Sequence, residues 1–454
     1  MAILLLLIGF LGFVVASMQV QQIRFSIVKA ILFFSLSILF TTEILSIFNS
    51  LNYLSLVIVW GFIAVVLLAF IIKRKLHHNL LAFKNKLKAS LKSLSKLEKF
   101  LVVFVVFILV GVFLQGIIYP PNNWDALAYH MPRIIHWIQN ESLANFRTPV
   151  YPQLISPPFS EQMILSVNLL LGNDYLSNAI QLFYLIGATL VLSMVAKQLG
   201  LNRLGQLFSV FIMMCLPEVI LLASSTHTEL VASFFMLCSL YFMLRILKQQ
   251  DLLNFILLGI SLGLGVATKS TAYVYLAPFV IVWLGVLMYQ LVTKNRGFVL
   301  AHFLVLGLLF TAINLGHYSR NYQLSGNLFG TNSEIHNYYV NESHTFKGLL
   351  SNITRNLSNQ FGVPKLAPLV EDLTVQFHQL IHQNINDPTT TSHTYDVDPL
   401  ATHENNGANV FHILLILISV VAFVLFSKKI NKRIKWFSIV IFLSFLLFCF
   451  YLKW

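Results

Sequence analysis

The chain has 454 residues, of which 57% are hydrophobic and only 10% are charged. A soluble domain carries about 25% charged residues, so this composition excludes a water-soluble globular protein and indicates an integral membrane protein. The net charge of +13 does not indicate nucleic-acid binding, because the basic residues lie between apolar segments, where they mark one side of a membrane.

Apolar segments long enough to cross a bilayer recur along the whole chain. A hydrocarbon core of ~30 Å needs about 20 apolar residues per helix. The predicted spans are 2–20, 27–48, 51–72, 100–118, 175–196, 206–224, 229–247, 252–268, 271–293, 298–316, 410–427 and 435–452. The run 162–171 is too short to span and is predicted to be an interfacial or re-entrant helix. The sequence therefore predicts an all-α membrane protein with about 12 transmembrane helices.

Lysine and arginine predict the orientation of these helices. With both termini outside, 22 of the 30 basic residues fall in loops on one side, and nine of them lie in Lys73–Lys99. Only Glu98 and Asp251 among the acids share that side. The positive-inside rule assigns it to the cytoplasm, which leaves two long segments, 119–174 and 317–409, on the outer face.

Four parts follow from this topology. Residues 1–99 hold three N-terminal spans and a basic cytoplasmic loop, and residues 100–316 hold a core of helices that includes the outer segment 119–174. Residues 317–409 form a large outer loop, and residues 410–454 form a C-terminal pair of spans. A loop as long as 317–409 without structure is uncommon unless it is functional.

The stretch Tyr119–Trp137 is rich in side chains suited to chemistry and directly follows a span. At 100° per residue, a helix here would place Asp125, Tyr129, Arg133 and His136 within about 80° of one another. A carboxylate can act as a general base, and an arginine can hold a phosphate bidentately. The alternative is an interfacial helix with its polar face in water, and a proline just before Arg133 can kink or break it.

Further candidates lie at the predicted outer ends of later spans. Glu161 follows a Pro-Pro pair, and Glu229 begins a helix, so a site role competes with helix capping for both. Lys269 opposes the positive-inside trend, which predicts an anionic partner, either a lipid phosphate or a protein carboxylate. Arg320 follows a span and is a second candidate phosphate ligand.

Metal binding has only a weak signal in this sequence. His403, Glu404 and His412 could be ligands, but their spacing matches no strong metal motif, and an interfacial histidine is more often only hydrogen-bonded. Cys215 and Cys238 lie within apolar runs, as the third cysteine does, so neither a disulfide framework nor a zinc cluster is indicated.

The order of these motifs resembles the polytopic glycosyltransferases of the GT-C class. The nearest groups are the bacterial relatives of the protein O-mannosyltransferases and the aminoarabinose-lipid A transferases. An acid directly after a span, an amphipathic helix after a Pro-Pro pair and a Thr-Lys hinge carry the resemblance. The segments are Asn123–Arg133, Ser156–Glu161, Ala223–Glu229, Ala267–Ser270 and Arg320–Gly326.

The resemblance implies an inverting transfer from a polyprenyl-phosphate sugar to a hydroxyl of a lipid, glycan or protein, at the outer face of a bacterial cytoplasmic membrane. It makes Asp125 the base that activates the acceptor, or a metal partner, with Glu161 and Glu229 as further catalytic candidates. It makes the basic side chains Lys269 and Arg133 ligands of the donor phosphate.

Supporting roles are expected for other polar residues of these motifs. Arg320 is a further candidate phosphate ligand, and Tyr129, His130 and His136 are candidates for holding the catalytic groups in place. Glu229 stands where the related enzymes have aspartate, and the acid near the Pro-Pro pair follows that pair rather than preceding it. The identity of the donor and the need for a divalent metal therefore stay open.

Other functions predict different features. A lipid-linked glycan transporter or flippase would show internal repeats and polar residues midway along several spans, and the chain shows neither. An O-antigen-ligase-like enzyme would use the 317–409 loop rather than Asp125. A non-catalytic scaffold would not explain a carboxylate, a lysine and an arginine on the same predicted side.

Overall fold

The computed structural model describes residues 2–293, 300–399 and 407–454, and within these ranges it is helical with no β-sheet. The first ten α-helices are α1 (Ile3–Ser17), α2 (Ile23–Ile47), α3 (Tyr53–Lys73), α4 (Asn79–Lys92), α5 (Lys96–Ile118), α6 (Met131–Asn140), α7 (Pro152–Ile155), α8 (Phe159–Leu171), α9 (Ala179–Leu199) and α10 (Arg203–Met214). The next ten are α11 (Pro217–Ala223), α12 (Glu229–Ile246), α13 (Leu252–Thr268), α14 (Thr271–Thr293), α15 (Leu300–Ser325), α16 (Ser333–Tyr339), α17 (Phe346–Ser358), α18 (Ala367–Leu380), α19 (Val410–Leu425) and α20 (Lys432–Tyr451).

The prediction of an all-α polytopic membrane protein is confirmed, although the number of spans is not. Among the described residues, eight helices are long and apolar enough to cross a membrane, or nine if α10 and α11 form one broken span. Helices lie at all twelve predicted segments, but α1, α13 and α19 are shorter apolar helices. The expected single span 206–224 is interrupted before Pro217, because proline lacks an N–H and disfavours helical geometry in the residue before it.

The chain forms two compact units, and the first comprises Met1–Met214, Leu222–Ser270 and Arg296–Gly330. Within it, α12 packs against α9 and α13, and α13 packs against α15. A Cβ at Gly263 would lie 2.8 Å from Ile313, so glycine permits the close approach of α13 and α15. Small residues allow such approach between membrane helices, where packing rather than the hydrophobic effect holds them together.

The N-terminal helices are part of this first unit. Helix α2 packs against α8, α9, α13 and α15. The turn between α2 and α3 is also hydrogen-bonded to the segment that follows α6: Leu51 N donates to Glu141 O at 2.9 Å, and Leu143 N donates to Ser46 Oγ at 2.7 Å. The first hundred residues are therefore joined to the predicted outer segment 119–174 by hydrogen bonds.

The second unit comprises Cys215–Leu221, Thr271–Asn295 and Thr331–Trp454. Here α14 packs against α20, and α17 packs against α18 and α20. The predicted loop 317–409 contains α16, α17 and α18, so it is substantially folded. Its core includes Arg355, which is buried and donates to the side chains of Asn352 at 2.7 Å and Thr390 at 2.9 Å.

Candidate active site

The predicted first outer segment, residues 119–174, begins with a capped turn that presents Asp125. The Oδ1 atom of Asn123 accepts a hydrogen bond from Ala126 N at 2.7 Å, as an N-terminal cap does. Residues Ala126–His130 then form a π-helical turn that leads into α6. Across this turn, Tyr129 donates its hydroxyl to Asp125 Oδ2 at 3.1 Å. Asp125 keeps 31% of its side chain exposed.

The π turn changes which side chains share a face. The single α-helical face expected for this stretch is wrong, because a π turn adds a residue and shifts the positions that follow it. Pro132 does not break the helix, since it lies in the first turn of α6, where its missing N–H is not needed. Arg133 is buried, and His136 stacks on Phe146 with ring centroids 4.2 Å apart.

A buried cluster forms where α6 meets α8. Glu161, in the first turn of α8, is 0% exposed, and its Oε1 lies 2.8 Å from His130 Nδ1 and 3.5 Å from Arg133 Nη1. The guanidinium of Arg133 also lies over the Trp137 ring, 4.4 Å from its centroid. Glu161 thus serves as the common partner of two side chains from the preceding segment rather than as a helix cap alone.

Burial and ion pairing together set the charge states in this cluster. Burial alone would raise the pKa of Glu161, but His130 and Arg133 outweigh it, so the pKa lies below its ordinary value. Burial lowers the pKa of Arg133 to about 10, and the guanidinium stays charged at neutral pH. Glu161 Oε2 and His130 Nε2 are buried without a hydrogen-bond partner in the described part of the chain.

A second carboxylate is paired with the lysine of the Thr-Lys hinge. Lys269 follows the end of α13, and its Nζ forms an ion pair with Glu229 Oε1 at the start of α12. Both side chains are partly exposed, at 36% and 31%. The amides of Leu230 and Val231 are capped by Gln181 Oε1 at 2.8 and 3.2 Å. Capping of these two amides therefore does not depend on Glu229.

His227 lies between the two exposed carboxylates. Its Nδ1 is 3.8 Å from Asp125 Oδ2 and 3.5 Å from Glu229 Oε2, and the side chain is only 2% exposed. Burial lowers the pKa of His227 despite both carboxylates, so the imidazole is neutral at neutral pH. Asp125 and Glu229 thus both lie near Nδ1 of one neutral histidine, and Lys269 is joined to this group through Glu229.

A third charged group lies on α15. Arg320 donates Nη1 to Glu43 Oε2 at 2.7 Å and Nη2 to Glu43 Oε1 at 2.8 Å, which is a bidentate pair. Gln162, next to Glu161, donates to the same Glu43 Oε1 at 2.8 Å. The Glu43 pair and the Glu161 cluster are therefore linked through neighbouring residues of α8.

Residues 156–326 match the family model of the dolichyl-phosphate-mannose-protein mannosyltransferases, a GT-C family. The match covers 171 of the 454 residues, and over this segment the chain is similar to a GT-C glycosyltransferase family. The resemblance to protein O-mannosyltransferases is confirmed, and the protein is a membrane glycosyltransferase. No curated protein and no solved structure matches the chain.

The GT-C match covers only part of the site. It includes Glu161, Glu229, Lys269 and Arg320 and begins after Asp125 in the chain. In the fold, the part of the first outer segment before residue 156 contacts the matched region, because His130 lies against Glu161 and Asp125 lies against His227.

The structure does not bring every candidate into these groups. His136 contacts Phe146, away from the contacts made by Arg133 and Asp125. His403 and Glu404 lie outside the described residues. Among the residues that the structure describes, no group of three or more His, Cys, Asp or Glu side chains is arranged to hold a metal ion.

Three residues that contact the candidate site residues were not predicted from the sequence. Glu43 is an acid within an apolar helix, which is a signal of function by itself. His227 lies two residues before Glu229, in a motif that was otherwise recognised. Gln162 had no signal, because its role depends on the packing of α8 against α2.

Proposed function

We propose that the protein transfers a sugar, with inversion, from a polyprenyl-phosphate donor to an acceptor hydroxyl at the outer face of a bacterial cytoplasmic membrane. The observation that supports this most is the accessible carboxylate of Asp125, held by Tyr129 and separated by His227 from the Lys269–Glu229 pair. This arrangement places a candidate base and a carboxylate-bound cation close to the same histidine nitrogen.

Asp125 is the general base in this proposal. Its carboxylate is 31% exposed, whereas Glu161 is fully buried between two basic side chains and has no access to an acceptor. Glu229 is exposed to the same degree as Asp125, but Lys269 neutralises it. Glu161 acts instead as a positioning residue for Arg133 and His130.

Tyr129 keeps the base oriented. Burial and the charge of Asp125 raise the pKa of Tyr129 far above its ordinary value, so the phenol stays protonated. Its hydroxyl therefore remains a hydrogen-bond donor to Asp125 Oδ2 throughout the working pH range. The second carboxylate oxygen of Asp125 is then the one that meets the acceptor.

Lys269 makes the first contact with the donor phosphate. It is the most exposed cation of the site, and its ammonium group has three N–H donors, so it can contact a phosphate while it stays paired with Glu229. Arg133 is 2% exposed, so a phosphate contact would require it to leave Glu161. The matched family is named for a dolichyl-phosphate-mannose donor and a protein acceptor, which favours a mannosyl donor and a protein acceptor here.

The chemical step is a single displacement. The acceptor oxygen forms a bond to the anomeric carbon while the bond from that carbon to the phosphate oxygen breaks. The hydroxyl proton moves to Asp125, and the electron pair of the broken bond leaves with the polyprenyl phosphate. Phosphate is a competent leaving group, so the step needs no strong general acid; Lys269 stabilises the charge that develops on it.

The experiment compares membranes that contain equal amounts of wild-type protein, Asp125→Asn or Asp174→Asn, each given a panel of radiolabelled polyprenyl-phosphate sugars. Asp174 is an exposed acid in the same outer segment and serves as the matched control. We expect transfer by the wild type and by Asp174→Asn, and a loss of about 10²–10⁴-fold in Asp125→Asn.

Two outcomes would contradict the proposal. Equal transfer by the wild type and Asp125→Asn would exclude Asp125 as the base. The absence of wild-type transfer from every donor in the panel would exclude a polyprenyl-phosphate-sugar transferase and favour transport of a lipid-linked glycan.

A further inference from the structure

Glu43 is an acid near the end of the apolar helix α2, far in sequence from every motif of the site. An acid within a membrane helix is costly and is retained where it has a partner or a function. Its partner is Arg320, with both carboxylate oxygens engaged at 2.7 and 2.8 Å. Both side chains are largely buried, at 16% and 13% exposed.

The carboxylate of Glu43 also packs directly against the backbone of α15. A Cβ atom at position 316 would overlap its Oε2, so the glycine there is what admits the carboxylate. Gln162 donates to its Oε1 at 2.8 Å. Helices α8 and α15 together thus determine the position of Glu43. Its partner on α8, Gln162, is the residue that follows Glu161.

The turn that follows Glu43 is attached to the first outer segment. Ser142 exchanges hydrogen bonds with Ser46, and Asn52 donates to Glu141 Oε2 at 2.7 Å. From the same outer segment, Asn145 donates to the backbone carbonyl of Arg320 at 3.0 Å. The backbone and the side chain of Arg320 are therefore both held by groups outside α15.

We infer that Glu43 is a positioning residue of the transferase site, which orients the Arg320 guanidinium toward the donor phosphate. This inference rests on the proposed function. The pair with Glu43 engages two of the five N–H donors of a guanidinium, which leaves the other edge for phosphate oxygens. The N-terminal helices, for which the sequence assigned no role, then supply a component of the site.

The experiment measures the donor KM and the maximal rate for wild type, Glu43→Gln, Arg320→Gln and the double variant. Glu43→Gln is expected to raise the donor KM by roughly tenfold, the size of one lost charge-assisted hydrogen bond, with a smaller change in rate. The double variant is expected to be no worse than Arg320→Gln, because Glu43 acts only through Arg320.

Two further variants separate positioning from folding. Glu98→Gln breaks a bidentate pair of the same kind, which joins Glu98 to Arg203. Glu98 lies near the start of α5, about 30 Å along this helix from the first outer segment. It is expected to leave the donor KM unchanged. Gly316→Ala keeps every charge but displaces the Glu43 carboxylate, and it is expected to raise the donor KM as Glu43→Gln does, even if the latter folds poorly.

The outcomes distinguish this inference from the proposed function. Wild-type transfer that is lost in Asp125→Asn, together with an unchanged donor KM in Glu43→Gln, would overturn this inference alone. An equal rise in KM in Glu98→Gln, or additive losses in the double variant, would also overturn it. Polyprenyl phosphate should raise the melting temperature of the wild type more than that of Glu43→Gln, and an equal rise would contradict the inference without any transfer assay.

Discussion

Replacement of Glu161 by glutamine tests how the buried cluster is held together. The change keeps the shape of the side chain and a hydrogen-bond acceptor for His130 but removes the negative charge. The guanidinium of Arg133, 2% exposed, then loses the charged partner that it contacts and is left with neutral groups, among them the carbonyl of Leu154 at 3.5 Å and the face of Trp137. An uncompensated buried charge is the expected result.

Removal of one partner from a buried ion pair costs about 3–5 kcal/mol. The lower end applies here, because the Trp137 ring stabilises the guanidinium through a cation–π contact. A loss of ~3 kcal/mol corresponds to a decrease in melting temperature of about 6 °C, at roughly 2 °C per kcal/mol for a large chain. Adding Arg133→Met removes the stranded charge, so the double variant should be more stable than Glu161→Gln alone.

Thermal unfolding can be followed directly through the free cysteines. Cys238 and Cys449 are buried, so a thiol-reactive fluorophore reports their exposure as the detergent-solubilised protein is heated. Glu98→Gln is the control, because its partner Arg203 is 48% exposed and stays solvated. That variant should melt close to the wild type.

Additive effects of the two substitutions on stability would contradict a charge interaction between Glu161 and Arg133. A double variant with the summed loss of Glu161→Gln and Arg133→Met would show that the charges do not interact. A melting temperature unchanged in Glu161→Gln would show that Arg133 is adequately solvated in the folded protein.

Two further expectations concern the exposed half of the site. Lys269→Met should raise the donor KM while changing the melting temperature little, since the ion pair with Glu229 is partly exposed; initial rates against donor concentration check this, and an unchanged KM would contradict it. Burial lowers the pKa of His227, so below its ordinary value of about 6.5 the unfolded chain binds a proton that the folded protein does not. Stability should fall as the pH decreases through that range and stay level above it. His227→Gln should flatten this slope in melting curves, and equal slopes for the two proteins would refute the assignment.

The helices were predictable because run length and apolarity determine them almost alone. Every predicted span contains a helix, and the errors are in lengths and in the break before Pro217. The requirement of Lys269 for an anionic partner was also foreseeable, because a lone basic residue at an outer hinge opposes the charge bias. Which anion it meets depends on how α12 lies beside α13, which periodicity does not report.

The π turn was not predictable from the sequence. A π turn and an α turn differ by one residue in each hydrogen bond, so local preference barely separates them. Here the turn coincides with tertiary contacts, because His130 reaches Glu161 while Tyr129 reaches Asp125. The sequence of the turn does not reveal that Glu161 is the partner of His130, or that Glu161 is buried.

Glu43, in contrast, is marked in the sequence as a functional candidate but was not among the predicted site residues. A carboxylate in an otherwise apolar helix is conspicuous in the printed sequence. Its partner Arg320 lies 277 positions further along the chain. The pairing therefore follows only from the packing of α2 against α15.

The π turn also affects how this chain can be compared with its relatives residue by residue. If a homologous helix is regular here, an alignment without a gap can place either Asp125 or Arg133 opposite its structural equivalent, but not both. The error is one position, which corresponds to a rotation of about 100° around the helix axis. A carboxylate or an arginine that seems missing from a relative at this point can therefore be present one position away, and a single-residue gap within Ala126–His130 is the correction that the geometry specifies.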